Sequence, residues 1–412
     1  MTPNRPLNIF VPHCSDLLTD HLPHGDGLVA HGFIRHLAER GHELHVAIAA
    51  SDIRQPLSAN VHLYPIASAG RGPLWARLHY MLQVRRLFFR LSRSVSFDLI
   101  HQLNPVYTGM SLSLVGCRPP VILGPYIGGW PDDPAAISNP KWVLRVLLRL
   151  VKRAIAGLQQ HFADLLLLTT PAAASRLVGR SALDKVQILP HGIDSDFFCP
   201  GEIADSSGET NSARILFMAS TTRRKGIFDL LQAFDRVAAR YPLTRLMIAG
   251  QGSEFAEART VASRLSCCDQ ISFLGQQDRA GAASLMRDAD IYCLPSHGEP
   301  YGMGAVEAMS CAKPLVVTDA GGLGCLVDDQ GGLRVPVGDP ERLGNALCTL
   351  LGNPQRWREM GEHNRRRVIE SMDWKHVINR LEEVYFASSR ARTQAGSKRA
   401  AAPASVLPDN YA

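Results

Sequence analysis

No stretch of the sequence holds the roughly twenty consecutive apolar residues that a membrane-spanning helix needs. No Cys-x-x-Cys pair occurs among the nine cysteines, an odd number in which only Cys267 and Cys268 are adjacent. That gives no indication of a disulfide framework or a cysteine-built zinc site, and a reducing compartment fits best. The charged-then-apolar pattern of a secretory leader is missing as well, since Met1 to Pro6 leads straight into the strand-like Leu7 to Val11. The expected location is the cytoplasm. Acid is absent between Asp52 and Asp98 and again between Asp133 and Asp164, so a net charge of +6 is unevenly spread.

What is present is ordinary globular composition, 46% apolar and 20% charged, over 412 residues. That length exceeds what one hydrophobic core usually serves, so two domains are expected. In the first half, short apolar segments at Leu7 to Val11, Leu44 to Ile48, Asp98 to Ile100, Pro120 to Leu123, Asp164 to Leu168 and Val186 to Leu189 alternate with helical stretches, the first over Gly27 to Glu39. A polar, turn-rich stretch from Cys199 to Ser212 reads as a linker. A second series follows, with strands at Ile215 to Met218, Arg245 to Ala249, Ile271 to Phe273, Ile291 to Leu294 and Pro314 to Val317. Buried strands alternating with helices imply parallel sheets covered on both faces. The expected fold is α/β: two doubly wound Rossmann-like domains facing a central cleft, at 1–198 and 199–370. A C-terminal helix at about 371–390 is expected to pack back on the first domain, with a disordered tail over 391–412.

The chemistry concentrates in Ser296-His297-Gly298-Glu299-Pro300-Tyr301-Gly302-Met303-Gly304-Ala305-Val306-Glu307. A strand precedes this loop and a helix opens near Gly304, so the free N–H groups around Gly302, Met303 and Gly304 suit a diphosphate. Glu299 in the loop can meet a sugar's hydroxyls, and Glu307 about a turn into the helix can meet a ribose. A second strand feeds Ser220-Thr221-Thr222-Arg223-Arg224-Lys225-Gly226, whose cations can neutralise a leaving diphosphate without a metal. Gly321 and Gly322 form a third loop, where only small residues allow close backbone approach.

Together these segments resemble the large retaining glycosyltransferase family numbered four, of the GT-B fold and the bacterial group 1 type. The family's Glu-x7-Glu motif is similar to Glu299 to Glu307, its Glu-Ala-Met-Ala-x-Gly-x-Pro run to Glu307 to Pro314, and its Gly-Gly loop to Gly321 and Gly322. Gly331 to Pro336, Pro190 to Asp194 and, in the first domain, Gly124 to Trp130 also resemble family segments. The resemblance implies transfer of a sugar from a nucleotide-diphosphate sugar to an acceptor hydroxyl with retention, the expected acceptor being a lipid-linked saccharide in cell-surface polysaccharide synthesis. Glu307 would hold the ribose, Glu299 the donor sugar and Lys225 the diphosphate, while Gly275, Gln276 and Gln277 would face the base. No metal or resident cofactor is implied, the nucleotide-sugar being a substrate, and no nucleic-acid partner is expected.

Three positions depart from the family pattern. Ala219-Ser220-Thr221 replaces Gly-Arg-Leu, so Arg224 is the candidate for the second diphosphate cation. Gly324-Cys325 follows the Gly-Gly loop where Pro-Glu is usual. Leu103 stands where a histidine is common, leaving His101 or Asn104 as its substitute. On the acceptor side, Gly25, Gly27, Gly128 and Gly129 are further candidates, along with a subset of the N-terminal histidines. Those histidines, His13, His21, His24, His31 and His36, carry no metal-ligand spacing. Gly250-Gln251-Gly252-Ser253-Glu254-Phe255 lacks the third glycine of a dinucleotide fingerprint and reads as a tight turn. A glycan phosphorylase and a non-catalytic nucleotide-binding protein are the alternative classes. Finally, Lys141, Arg145, Arg149 and Lys152 share one face of an expected helix, and Arg86, Arg90 and Arg93 align similarly. An anionic membrane surface is therefore an expected partner, on the inner face of the cell membrane, with salt releasing the protein.

Overall fold

A computed structural model describes residues 5–22, 25–66, 73–104, 109–128, 142–201 and 213–395. Gly129, Lys141 and Trp130 lie outside the described residues, as do His24, most of the expected linker and 396–412. The chain divides into two compact units. One holds the described residues up to Ile127, those from Trp142 to Gly192 and those from Trp374 onward. The other holds Gly128 and the described residues from Ile193 to Asp373.

In chain order the first unit contains β1 (Asn8–Val11), β2 (Leu18–Thr19), α1 (Gly25–Glu39), β3 (Glu43–Ile48), β4 (Ser51–Asp52), β5 (Val61–Pro65), α2 (Pro73–Leu91), β6 (Leu99–Gln102), β7 (Val121–Tyr126), α3 (Trp142–Phe162), β8 (Leu165–Leu168) and β9 (Val186–Ile188). Seven of these strands form a sheet in the order β5-β3-β1-β6-β7-β8-β9, and β2 pairs separately with β4. Every registered pair in that sheet is parallel. The second unit contains β10 (Arg214–Met218), α4 (Ile227–Arg240), β11 (Arg245–Ala249), α5 (Phe255–Ala262), β12 (Ile271–Gly275), α6 (Arg279–Asp288), β13 (Ile291–Leu294), α7 (Met303–Ser310), β14 (Leu315–Thr318), α8 (Gly321–Leu326), β15 (Gly332–Val335), α9 (Pro340–Leu351) and α10 (Pro354–Ser371). Its six strands are parallel in the order β12-β11-β10-β13-β14-β15. In both sheets the order reverses beside the unit's first strand. The carboxyl ends of β1 and β6, and of β10 and β13, are therefore the places where such sheets leave a crevice.

The last helix, α11 (Trp374–Ala395), belongs to the first unit. Its Val377, Ile378, Leu381 and Tyr385 are buried in one core with Ile9, Val11, Phe33, Leu44 and Leu99. Trp374 lies edge-on to Phe33 at 5.0 Å. A Cβ on Gly32 or on Gly192 would sit 2.2 Å from its ring, so both positions must lack a side chain for the helix to seat. His42 Nδ1 accepts the Leu7 N–H at 3.1 Å, which leaves its Nε2–H to donate to Glu382 Oε1 at 3.0 Å. The helix ends beyond the position expected for a disordered tail, continuing through Ala395.

One sequence expectation fails here. His101, a candidate for the acceptor side, is completely buried beneath α11. Its Nε2 faces Gly124 O at 3.0 Å and its Nδ1 faces the Tyr385 hydroxyl at 2.6 Å, so both ring nitrogens are committed. Burial pushes its pKa down to about 3 and keeps the ring neutral: Nε2–H donates to the carbonyl and Nδ1 accepts from Tyr385. The strand β5 was not among the expected ones: it is an edge strand whose Val61, His62, Leu63 and Tyr64 are half buried or exposed, so it lacks the continuous apolar run of a buried strand.

No helix among the described residues is long and apolar enough to cross a membrane. Tyr385→Phe should destabilise the first unit by about 1–3 kcal/mol, because His101 Nδ1 is left without a donor where water cannot reach. A lower denaturant midpoint for that unit, with nucleotide affinity unchanged, is the expected result. An unchanged midpoint would show that this hydrogen bond is not what holds His101.

Candidate functional site

Three loops meet at the carboxyl end of the second sheet. After β10 the chain makes a 3-10 turn over Arg223–Lys225 and enters α4 through Gly226 at φ 75°. A Cβ on Gly226 would lie 1.9 Å from Pro295 O, so only glycine lets the β10 loop touch the β13 loop here. Those loops are then stitched by backbone bonds: the His297 N–H donates to Arg224 O at 2.8 Å, and Ser296 Oγ donates to the same carbonyl at 3.1 Å. Thr318, ending β14, donates its hydroxyl to Ser296 O. The result is that the side chain of Lys225 forms an ion pair with Glu299, with side-chain exposures of only 14% and 9%.

Glu299 is fixed by its own backbone as well. It bridges to Gly321, and its carbonyl accepts the Gly322 N–H at 2.6 Å. A Cβ on Gly321 would meet Glu299 O at 2.5 Å, and one on Gly322 would meet Pro300 O at 2.7 Å. The Gly-Gly pair thus acts first as the seat of the Glu299 loop. Gly302, at φ 101°, opens α7, where Met303 and Gly304 are partly exposed. Gly304 rests on the Tyr292 hydroxyl, which a Cβ there would approach to 2.6 Å, and that hydroxyl donates to Met218 O at 3.2 Å. Glu307 sits one turn further along α7, partly exposed. Desolvation by the surrounding protein pushes its pKa up to about 7, opposed by the charge of Arg279.

The remaining second-unit candidates lie at the same sheet end. Ser220 and Arg224 are exposed on the β10 loop. Arg223 pairs with Glu257 and stacks 4.3 Å over Phe228, which turns it to the α5 side. Gly275, at φ 69°, accepts the Gly250 N–H at 2.7 Å, and exposed Gln276 follows it. Gln277 folds back to donate to Leu274 O at 2.8 Å. Cys325 lies in α8, one turn after the Gly-Gly pair.

In the first unit, Asn104 follows β6 with φ 40°, a strained value for a non-glycine residue. Its Nδ2 donates to Asp26 O at 3.1 Å, at the start of α1, while its buried Oδ1 has no hydrogen-bond partner among the described residues. Gly25 opens α1 with nothing within 4 Å of a would-be Cβ, and Gly27 is buried in the same turn. Gly128 groups with the second unit and donates its N–H to Pro300 O at 3.0 Å. Among the described residues no group of three or more His, Cys, Asp or Glu could hold a metal ion.

Sequence reasoning missed one pair. His297 Nε2 lies 2.7 Å from Asp229 Oδ2, in the first turn of α4, which clamps the Glu299 loop to the helix that follows Lys225. The only linear signal was a histidine inside the motif, and a separation of 68 positions between the partners hides the rest.

Two doubly wound parallel sheets in tandem, the second carrying paired carboxylate and ammonium groups at its switch point, define the GT-B class of fold. The chain belongs to the group 1 glycosyltransferases: residues 202–367 match the family "Glycosyl transferases group 1" and residues 24–197 match "Glycosyltransferase Family 4". A glycogen synthase of Mycobacterium tuberculosis is 29% identical over 213 residues, 52% of this chain and 51% of that protein. A phosphatidyl-myo-inositol mannosyltransferase of the same species is 34% identical over 223 residues, 52% of this chain and 57% of that protein. The chain thus spans about half the length of the curated relatives it matches. Among solved structures, Anabaena Alr3699/HepE in complex with UDP superposes with a TM-score of 0.69 at 17% identity, covering 92% of this chain and 100% of that one. A sucrose-phosphate synthase of Thermosynechococcus elongatus gives 0.69 at 20% identity, with 93% and 99% covered. At such identities these two establish the fold.

Gly226→Ala should separate strain from collision. Gly179 has a similar φ of 86° with nothing near its Cβ position, so Gly179→Ala should cost about 1 kcal/mol. Gly226→Ala should cost clearly more and weaken nucleotide binding, because Pro295 must move and carries the Glu299 loop with it. Equal thermal shifts for the two variants would show that the loops are not locked at this contact.

Proposed function

We propose that the protein transfers a glycosyl group from a nucleoside-diphosphate sugar to an acceptor hydroxyl with retention at the anomeric carbon. The observation that carries this reading is the Lys225–Glu299 pair at the β10/β13 switch point, with Glu307 presented one helix turn beyond the loop. The bond from C1 to the diphosphate breaks as the acceptor oxygen attacks from the same face, and the acceptor's proton passes to the departing phosphate. Lys225 and Arg224 oppose the charge that develops on that phosphate, aided by the N–H groups at Gly302, Met303 and Gly304. Glu299 accepts from the donor sugar's hydroxyls, Glu307 from the ribose, and Gly275 with Gln276 borders the base. UDP is the first nucleotide to test, since the Anabaena protein of the same fold binds it.

The acceptor, in this reading, is a lipid-linked saccharide handled at the inner face of the cell membrane, in cell-surface glycan synthesis. Its support is the name of the mannosyltransferase relative and the acid-free stretches of the first unit. Gly25, Gly27 and Asn104 would border it.

Lys225→Ala should lower turnover about a hundredfold or more while changing nucleotide affinity much less, because its contact strengthens as the diphosphate leaves. A variant retaining half of normal turnover would end the assignment. Arg224→Ala should be nearly as damaging, with Ser220→Arg restoring part of the loss. Glu307 supplies a pH test. Its carboxyl is raised to about 7, so near neutral pH it is partly protonated, whereas accepting from ribose hydroxyls favours the ionised form. Binding should therefore release a proton and tighten between about pH 6 and pH 8. Titration calorimetry in two buffers of different ionisation enthalpy should show less proton release for Glu307→Gln than for the parent. Identical release would remove Glu307 from the ribose.

A further inference from the structure

Helix α2 has two apolar faces, and one of them faces outward. Tyr80, Val84, Leu87 and Phe88 are buried, in one core with Phe10, Ile100 and Met110. On the opposite side Trp75, Leu78, Leu82 and Phe89 are 66%, 42%, 57% and 49% exposed. Their positions recur with helical spacing, so they make a single stripe along the helix. Arg86 lies on that stripe and Arg90 beside it, both exposed, while Arg85 stacks 5.0 Å over Phe89. Arg93, grouped with them from sequence, falls past the helix end at Leu91.

The neighbouring long helix repeats the design. α2 and α3 border the same 3-10 turn, Met110–Leu114: Arg85 Nη1 donates to Ser113 O at 2.6 Å, and Ile155 of α3 leaves no room for a side chain on Gly109, the residue that opens the turn. On α3, Leu148, Val151, Leu158 and Phe162 are about half exposed, and Arg149, Lys152 and Arg153 are exposed with them. Leu150 is 59% exposed as well. Neither helix contains an acidic residue.

We infer that the outer face of α2, with the exposed part of α3 beside it, is a surface that docks in an anionic lipid bilayer, the apolar stripe entering the acyl boundary and the arginines meeting lipid phosphates. This deepens the membrane-side reading of the function and rests on it. Charge selects the occupant. Two copies pairing through α2 would bring Arg86 and Arg90 of each against the other with no carboxylate from this helix to neutralise them, whereas anionic headgroups supply that charge. A single stripe of Trp, Leu and Phe flanked by Arg is also what an interfacial helix needs in order to lie in the headgroup plane. Docking is then only partly electrostatic, so salt weakens it without abolishing it.

The test uses the full chain with vesicles of phosphatidylcholine alone and of phosphatidylcholine with phosphatidylglycerol. Binding should require the anionic lipid, and bilayer-embedded brominated chains should quench Trp75 fluorescence, assigned by difference from Trp75→Phe. Leu78→Ser with Leu82→Ser should cut vesicle affinity at least about tenfold, each leucine withdrawn from lipid contributing on that scale. Arg86→Glu with Arg90→Glu should remove the preference for anionic lipid. UDP affinity of these variants should equal that of the parent, which reports that they fold. No binding at low salt, binding indifferent to the leucine pair, or a concentration-dependent dimer that the leucine pair dissolves would each overturn the proposal. These outcomes leave the transfer chemistry untouched, since that is tested separately by Lys225→Ala.

Discussion

The second unit depends on one ion pair. Lys225 and Glu299 lie on the loops after β10 and β13, the two strands at which the sheet order reverses, and both side chains are largely withdrawn from water. Removing one partner of such a pair leaves an uncompensated charge, a loss of about 3–5 kcal/mol, so each residue constrains the other. Much of the surrounding geometry serves to keep them at contact: Gly226 against Pro295, Gly322 under Glu299 O, and His297 clamped to Asp229. A diphosphate entering the proposed donor site brings negative charge that competes with Glu299 for Lys225. In the proposed reaction, Lys225 turning to phosphate would release the Glu299 carboxylate toward the hydroxyls of the sugar. The contact that joins these loops would thereby be the one exchanged when the donor binds.

How much of this was legible in sequence follows from the range over which each interaction acts. The first five strands of the second unit are local facts, and apolar runs ended by glycine and small polar residues marked them within a residue or two, as for β13, whereas β15 and the helices α8, α9 and α10 were not marked. The site motif was legible for the same reason: Glu299 to Glu307 places loop, helix opening and helix turn in consecutive residues. The Lys225 segment lies 74 residues earlier, and only the expectation of parallel strands brought the two together. His101 shows the limit. It was a candidate to replace the histidine that the family carries where Leu103 stands, but Tyr385 arrives from the last helix, 284 residues later, and takes its Nδ1. The Gly-Gly pair was read as room for a ligand, whereas its nearest neighbour is the backbone of Glu299 and Pro300.

The helix faces of the first unit expose a different ambiguity. In α2 the residues at 75, 78, 82 and 89 and those at 80, 84, 87 and 88 both satisfy a helical repeat, so periodicity alone cannot say which set meets the core. Packing decides it: Phe88 lies 5.2 Å from Phe10 of β1 and 5.4 Å from Phe97, inside the aromatic cluster, while Phe89 of the outer set meets that cluster at Phe88, 5.6 Å away, and stays half exposed. The position of Arg86 within the outer set gives a local reason for the same choice, because a buried guanidinium without a carboxylate costs several kcal/mol and α2 offers no acid. An outer stripe that is apolar at four positions and cationic at the fifth is too charged to be a second core face and too hydrophobic to be an ordinary solvated one. The docking surface proposed for α2 would satisfy both properties, apolar matter meeting the four and anions the fifth.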